Sequence, residues 1–301
     1  MKKFLVVIAG PTTSGKTALA IDIALHFKTE IISADSRQFF RELNIGTAKP
    51  TSEQLQKVKH HFLDFLSVRD SYHAGKFEED VLKLLTQLFQ IHDIVVMAGG
   101  SGLYIDAVCS GFDRLPDGDE EIRRQLSELF NREGIISLQE KLKALDAEYF
   151  SRVDIHNPQR MMRAIEVCLL TGKKYSQLRQ HKKSPRSFSV IKIGLDVERK
   201  ILYERINNRV AQMMEYGLLD EAKSVLPFRS ANPLQTVGYK ELFSFLDGKL
   251  SLEEAVDLIK RNTRRYAKRQ LTWFRKDKEI VWFSPENKSE IISHFETEVE
   301  K

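Results

Sequence analysis

The chain has 301 residues, 42% hydrophobic and 30% charged, with a net charge of +5. That composition excludes a disordered chain, and the apolar runs fall far short of the ~18 residues a membrane-crossing helix needs. Two cysteines, Cys109 and Cys168, lack the spacing of a metal site or disulfide framework, and no apolar leader follows Lys2 and Lys3, so the expected setting is cytoplasmic.

The first third alternates strand-like and helix-like segments. "FLVVIAG" predicts a buried strand and residues 15–27 a helix; "EIISADS" predicts a second strand, "HHFLDFL" a short further one. Phe77, Val81, Leu84, Leu88 and Ile91 repeat at helical spacing within residues 73–92, and "DIVVMAGGSG" is a strand entering a glycine turn. This alternation implies an α/β core with a parallel sheet and ligands at the carboxyl ends of the strands.

Between the first strand and helix lies Gly10-Pro11-Thr12-Thr13-Ser14-Gly15-Lys16-Thr17, a full GxxxxGK[ST] phosphate loop. Its glycines let successive N–H groups and a helix N-terminus face a di- or triphosphate; Lys16 suits the outer phosphates and Thr17 a Mg²⁺ ion. The loop specifies phosphates and leaves open what is attached to them, so a kinase or a nucleic-acid-remodelling ATPase would carry it equally well. Asp35 closes the second strand, where a carboxylate can bind Mg²⁺, accept a proton or cap a turn. "AGGSGLY", residues 98–104, is a second glycine-rich turn.

After "RLPDGD" the pattern becomes wholly helical. "DEEIRRQLSELFNREG", "SLQEKLKALD" and "NPQRMMRAIEVCLLTG" predict successive helices, the last opened by Pro158 and closed by Gly172. Within it Gln159, Arg160 and Arg163 share a polar face, with Met162, Ile165 and Leu169 expected in the core. "FSVIKIGLDV" resumes as a strand, "ERKILYERINNRVAQMMEYG" as a long helix, and "EIVWFSP" as a final strand after further helices. The expected organisation is an α/β core in residues 1–116 and 188–301, interrupted by a helical insertion in residues 117–187.

Charge is concentrated. Residues 167–195 hold seven Lys or Arg and no acid; residues 260–278 hold nine against Asp277 alone. Two basic tracts on an otherwise acidic body point to a polyanion, and Tyr175, Tyr266 and Trp273 among them are candidates for stacking on bases.

The ordered series "GPTTSGKT", "DSRQ", "IGTAKP", "GGSGLY", "QRMMRAIEV", "GLDVERKILYERINNRVAQMM", "TVGYKE" and "TRRYAKRQLTWFRK" resembles the bacterial tRNA dimethylallyltransferases (tRNA isopentenyltransferases) along nearly the whole chain. The resemblance implies a P-loop NTPase-like core. It implies transfer of a dimethylallyl group from dimethylallyl diphosphate to the exocyclic amine of the adenosine 3′ of a tRNA anticodon, with Mg²⁺ and release of diphosphate. By the same resemblance Gly10 to Thr17 bind the diphosphate, with Thr12, Ser14, Gly15, Lys16 and Thr17 the mapped contacts and Thr12 also catalytic, and Asp35 is the general base. Arg209 assists the leaving group, with Arg205 its competitor four residues earlier. Asp35 to Gln38 (Asp35, Ser36, Arg37 and Gln38), Ser101, Arg123 and Gln159 to Arg163, Met161 and Met162 included, fall on tRNA-contacting segments. Ser101 replaces the family's usual threonine. The enzyme is expected to act as a monomer. The stacked adenosine must be flipped out to reach the base, the insertion and the C-terminal basic helix are expected to grip the anticodon stem-loop, and binding should weaken with salt.

Overall fold

The computed structural model describes residues 2–113, 115–180 and 184–301. In chain order the elements are β1 Phe4–Ala9, α1 Lys16–His26, β2 Ile31–Ser33, α2 Ser52–Lys57, β3 His60–His61, α3 Ala74–Leu88, β4 Ile94–Gly99 and α4 Gly102–Ser110. There follow α5 Glu120–Glu133, α6 Ile135–Leu145, α7 Ala147–Phe150, α8 Pro158–Thr171 and α9 Tyr175–Leu178. The chain ends with β5 Ser189–Leu195, α10 Arg199–Glu215, α11 Leu218–Val225, α12 Tyr239–Leu246, α13 Leu252–Phe274, β6 Val281–Phe283 and α14 Lys288–Glu300.

Among the described residues six strands form one parallel sheet in the order β3-β2-β4-β1-β5-β6. The period-2 geometry of a strand explains why β1 is apolar at every position. Leu5, Val7 and Ala9 enter the core on one face, and Phe4, Val6 and Ile8 enter the core on the other. The short strands at "HHFLDFL" and "EIVWFSP" form as the sequence suggested, each at an edge of the sheet.

Contacts divide the chain into two compact units, residues 1–109 with 186–301, and residues 110–185; the sequence pattern had placed the division at 117 and 188. Every regular element among the smaller unit's described residues is a helix. Asn157 caps α8 by accepting the Arg160 N–H, Pro158 occupies the first turn, and Gly172 ends the helix at φ 65°. The core-facing stripe of α8 is Met161, Ala164, Ile165 and Cys168. Met162 is only half-buried, and Leu169 is 45% exposed. Ile165 is core as expected, whereas Met161 and Cys168 take the places expected of Met162 and Leu169. Met161, expected on the tRNA-contacting segment, has its side chain wholly inside this core.

Candidate active site

A cavity of about 500 Å³ lies at the carboxyl ends of β1, β2 and β4, in the larger unit. The loop after β1 forms its floor. Gly15 takes φ 96°, a conformation favouring glycine, and Thr13 takes φ 63°, costly for a β-branched residue by roughly 1–3 kcal/mol. Lys16 Nζ reaches back to donate to the Pro11 carbonyl at 2.6 Å. Burial lowers the Lys16 ammonium to about 8, reinforced by Arg209 and opposed by Asp35. The hydroxyls of Thr13 and Ser14 are buried without a hydrogen-bond partner. Such groups inside a phosphate loop fit an anionic ligand, because an unsatisfied buried hydroxyl is otherwise costly. Thr12 to Thr17 line the cavity, whereas Gly10 and Pro11, also expected to contact the diphosphate, are absent from the cavity wall and are buried behind it.

Asp35 follows β2 and lies in the same wall. Burial raises its carboxyl above the ordinary range, although the Arg37 backbone N–H donates to it at 3.1 Å and the charge of Lys16 opposes the rise. The parallel pairing that brings β2 beside β4 needs Gly99, since a Cβ there would overlap the Ala34 carbonyl. Arg209, on α10, lines the cavity and burial lowers its pKa; Arg205 is exposed one turn away. Ile206, Val210 and Met213 of α10, with Leu218, Val237 and Ile259, add apolar surface to the cavity.

Several expected tRNA-contacting groups have internal partners. Gln38 Nε2 donates to the Thr47 and Ala48 carbonyls, each at 3.2 Å, and its Oε1 accepts from Ser33. Ser101 Oγ accepts the Ser36 N–H at 3.0 Å and donates to the Ser36 hydroxyl. Arg37 reaches Asn232 at 3.5 Å. In the helical unit Gln159 and Arg160 are exposed. Arg163 donates to Glu166 and to the Pro116 carbonyl, both at 2.6 Å, and Arg123 also binds Glu166.

The basic tracts are also altered by the fold. Arg186 is bound to Glu78 and to two carbonyls, and Lys192 to Asp277 and Glu279, so two of the seven cations in residues 167–195 hold the larger unit together. Lys182 and Lys183 lie outside the described residues. Tyr175 is buried and Tyr266 lines the cavity, which leaves Trp273, 37% exposed, as the accessible ring of the three. On α13, by contrast, Arg261, Arg265, Lys268 and Arg269 are exposed at spacings that put them on one helical face.

Sequence reasoning missed three supporting residues. Glu221 accepts the backbone N–H groups of Asn44, Ile45 and Gly46 and the Tyr239 hydroxyl, fastening a loop that lines the cavity. The third, Gln270, bonds to the phosphate loop from α13. Tyr239 lies in "TVGYKE" and Gln270 in "TRRYAKRQLTWFRK", Glu221 lies in none of the quoted stretches, and no local pattern marks the three because their partners are about 20 to 260 residues away.

A parallel sheet with this loop at the end of its first strand defines a P-loop NTPase-like α/β protein built to hold a di- or triphosphate. Residues 38–277 match the family model described as IPP transferase. The tRNA dimethylallyltransferase of Christiangramia forsetii is 51% identical over 300 residues, covering 99% of both chains. The tRNA dimethylallyltransferase 1 of Bacteroides fragilis is 48% identical over 297 residues, again 99% of both. Among solved structures, the full-length tRNA isopentenylpyrophosphate transferase of Bacillus halodurans superimposes with a TM-score of 0.73 at 37% identity, covering 100% of this chain and 97% of that one. The chain belongs to the IPP transferase family.

Proposed function

We propose that this protein transfers a dimethylallyl group from dimethylallyl diphosphate to the exocyclic amine of the adenosine immediately 3′ of a tRNA anticodon, releasing diphosphate. The observation that carries the reading is one cavity in which a phosphate loop, a half-buried carboxylate with a raised pKa and apolar side chains meet. The loop N–H groups and Lys16 hold the diphosphate, and Arg209 adds a second positive charge to the leaving oxygen. The apolar residues of α10 and α13 hold the five-carbon chain. As the adenosine nitrogen bonds to the allylic carbon, the carbon–oxygen bond breaks, its electron pair leaves with diphosphate, and Asp35 takes the amine proton. A carboxyl raised toward neutrality is a better base than an ordinary one.

The Thr17 hydroxyl on the cavity wall and the unpartnered loop hydroxyls suit a phosphate-bound Mg²⁺, which needs few protein ligands. When bound there, the ion would supply further charge stabilisation to the leaving diphosphate. The exposed basic face of α13 and the Gln159–Arg160 edge of the helical unit are the surfaces offered to the anticodon stem-loop. The described residues include no helix long and apolar enough to cross a membrane, and the cytoplasm is the proposed setting.

The test is label transfer. With Mg²⁺, labelled dimethylallyl diphosphate and unmodified tRNA whose anticodon is followed by adenosine, label should enter the RNA. Asp35→Ala should lower turnover by about 10²–10⁴ with tRNA binding retained. ADP release from ATP without transfer to RNA would overturn the proposal, and activity within about tenfold of the unaltered protein would remove Asp35 from the base role.

A further inference from the structure

Gln270 occupies an unusual place for a residue of the basic C-terminal helix. Its side chain is buried, 6% exposed, and both ends of the amide are used: Oε1 accepts the Thr12 backbone N–H at 2.9 Å, and Nε2 donates to the Gly100 carbonyl at 2.8 Å. Thr12 belongs to the loop after β1 and Gly100 to the turn after β4, strands that are paired directly. The amide thus bridges the two glycine turns in the wall of the cavity. Gly100 has no spare room, since a Cβ there would overlap Gln270 Nε2.

We propose that Gln270 is a positioning residue for the diphosphate, acting through the phosphate loop. The loop carries a non-glycine residue in the left-handed region at Thr13, and such a conformation persists only where its surroundings hold it. Lys16 holds the carbonyl end of the Pro11–Thr12 peptide from within the loop, and Gln270 holds the N–H end of the same peptide from outside it. The Thr12 N–H therefore points at α13, and the phosphate is left to the donors that follow it. An amide is the group the position requires, because one end must accept and the other donate. Leucine supplies neither bond, and glutamate keeps the acceptor, loses the donor and brings a negative charge toward an anion site.

This inference rests on the reading of the cavity as a diphosphate site, and the probe is chosen to report on the loop whatever the acceptor is. Binding of inorganic diphosphate with Mg²⁺ is measured by calorimetry for the full chain and for Gln270→Leu, Gln270→Glu and Gly100→Ala. Diphosphate affinity, and KM for the allylic donor, should worsen about tenfold or more in all three, with glutamate worst, while tRNA affinity at fixed salt stays within about twofold. The double variant Gly100→Ala/Gln270→Leu should be no worse than Gln270→Leu alone, because the added methyl acts by displacing the same amide. Diphosphate affinity within twofold of the unaltered protein in either Gln270 variant would overturn the proposal. So would a parallel loss of diphosphate and tRNA affinity with a lowered melting temperature, the mark of general loosening. Absence of diphosphate binding by the unaltered protein would instead overturn the reading of the cavity.

Discussion

Glu166 accepts the Arg123 Nε–H at 2.7 Å with its carboxylate buried and the guanidinium half in water. Arg163 approaches the same carboxylate from α8, and the Asp119 backbone N–H supplies a further bond at 2.9 Å. The carboxylate ties the start of α5 to α8, and its two cations leave a net positive charge facing outward. Most other pairs in this unit, such as Arg124 with Glu121, join two exposed side chains, and a pair of that kind is worth little.

Replacing Glu166 by glutamine should therefore matter far more than replacing Glu121. Losing one member of a buried pair costs about 3–5 kcal/mol, and because both arginines can turn to water the cost here should be about 2–3 kcal/mol. Amide protection in α5 and α8 should fall by about thirty- to hundredfold in Glu166→Gln. Unchanged protection would show that the pair is incidental.

The pH dependence has two limbs with opposite origins. Asp35 must be ionised to accept a proton, and burial raises its pKa, so kcat/KM for the donor should rise with pH through a midpoint above the ordinary carboxylate range. Lys16 must be protonated to hold the diphosphate, and burial lowers it to about 8. kcat/KM should therefore fall as pH climbs past about 8, roughly tenfold per unit. An unbroken plateau to pH 10 would remove Lys16 from this role.

Salt should report on α13. Arg265 and Lys268 are exposed, and neutralising each phosphate contributes about 0.7–0.9 to the slope of log affinity against log salt. Arg265→Gln and Lys268→Gln should each reduce the slope for tRNA by roughly that amount and leave the donor's KM unchanged. A slope identical to that of the unaltered protein would place the RNA elsewhere.

The fold was legible because its signals are local. Six strands and the main helices announce themselves through apolar runs, helical spacing and caps such as Pro158 and Gly172. The phosphate loop was legible for the same reason, since one strand, eight residues and one helix make it. What stayed hidden depends on side chains finding partners far along the chain. Arg186 and Lys192 read as part of a basic patch until Glu78, Asp277 and Glu279 close on them. Met161 and Met162 are interchangeable on paper, and a rotation of one residue about α8 decides which is core. Gln270 looked like one polar residue among many cations, and only the approach of Thr12 and Gly100 gives it a purpose.

The centre of the sheet has a consequence for synthesis. β1 is made first, yet its two neighbours are β4, beginning at Ile94, and β5, ending at Leu195. At the ~5–20 residues per second of translation, a fully apolar hexapeptide waits on the order of 10–40 s before both of its edges can be covered. The helical unit emerges in that interval with a core of its own, so it can fold while the sheet still lacks β5 and β6. The nascent sheet should be a substrate for chaperones until residue 195 has left the ribosome.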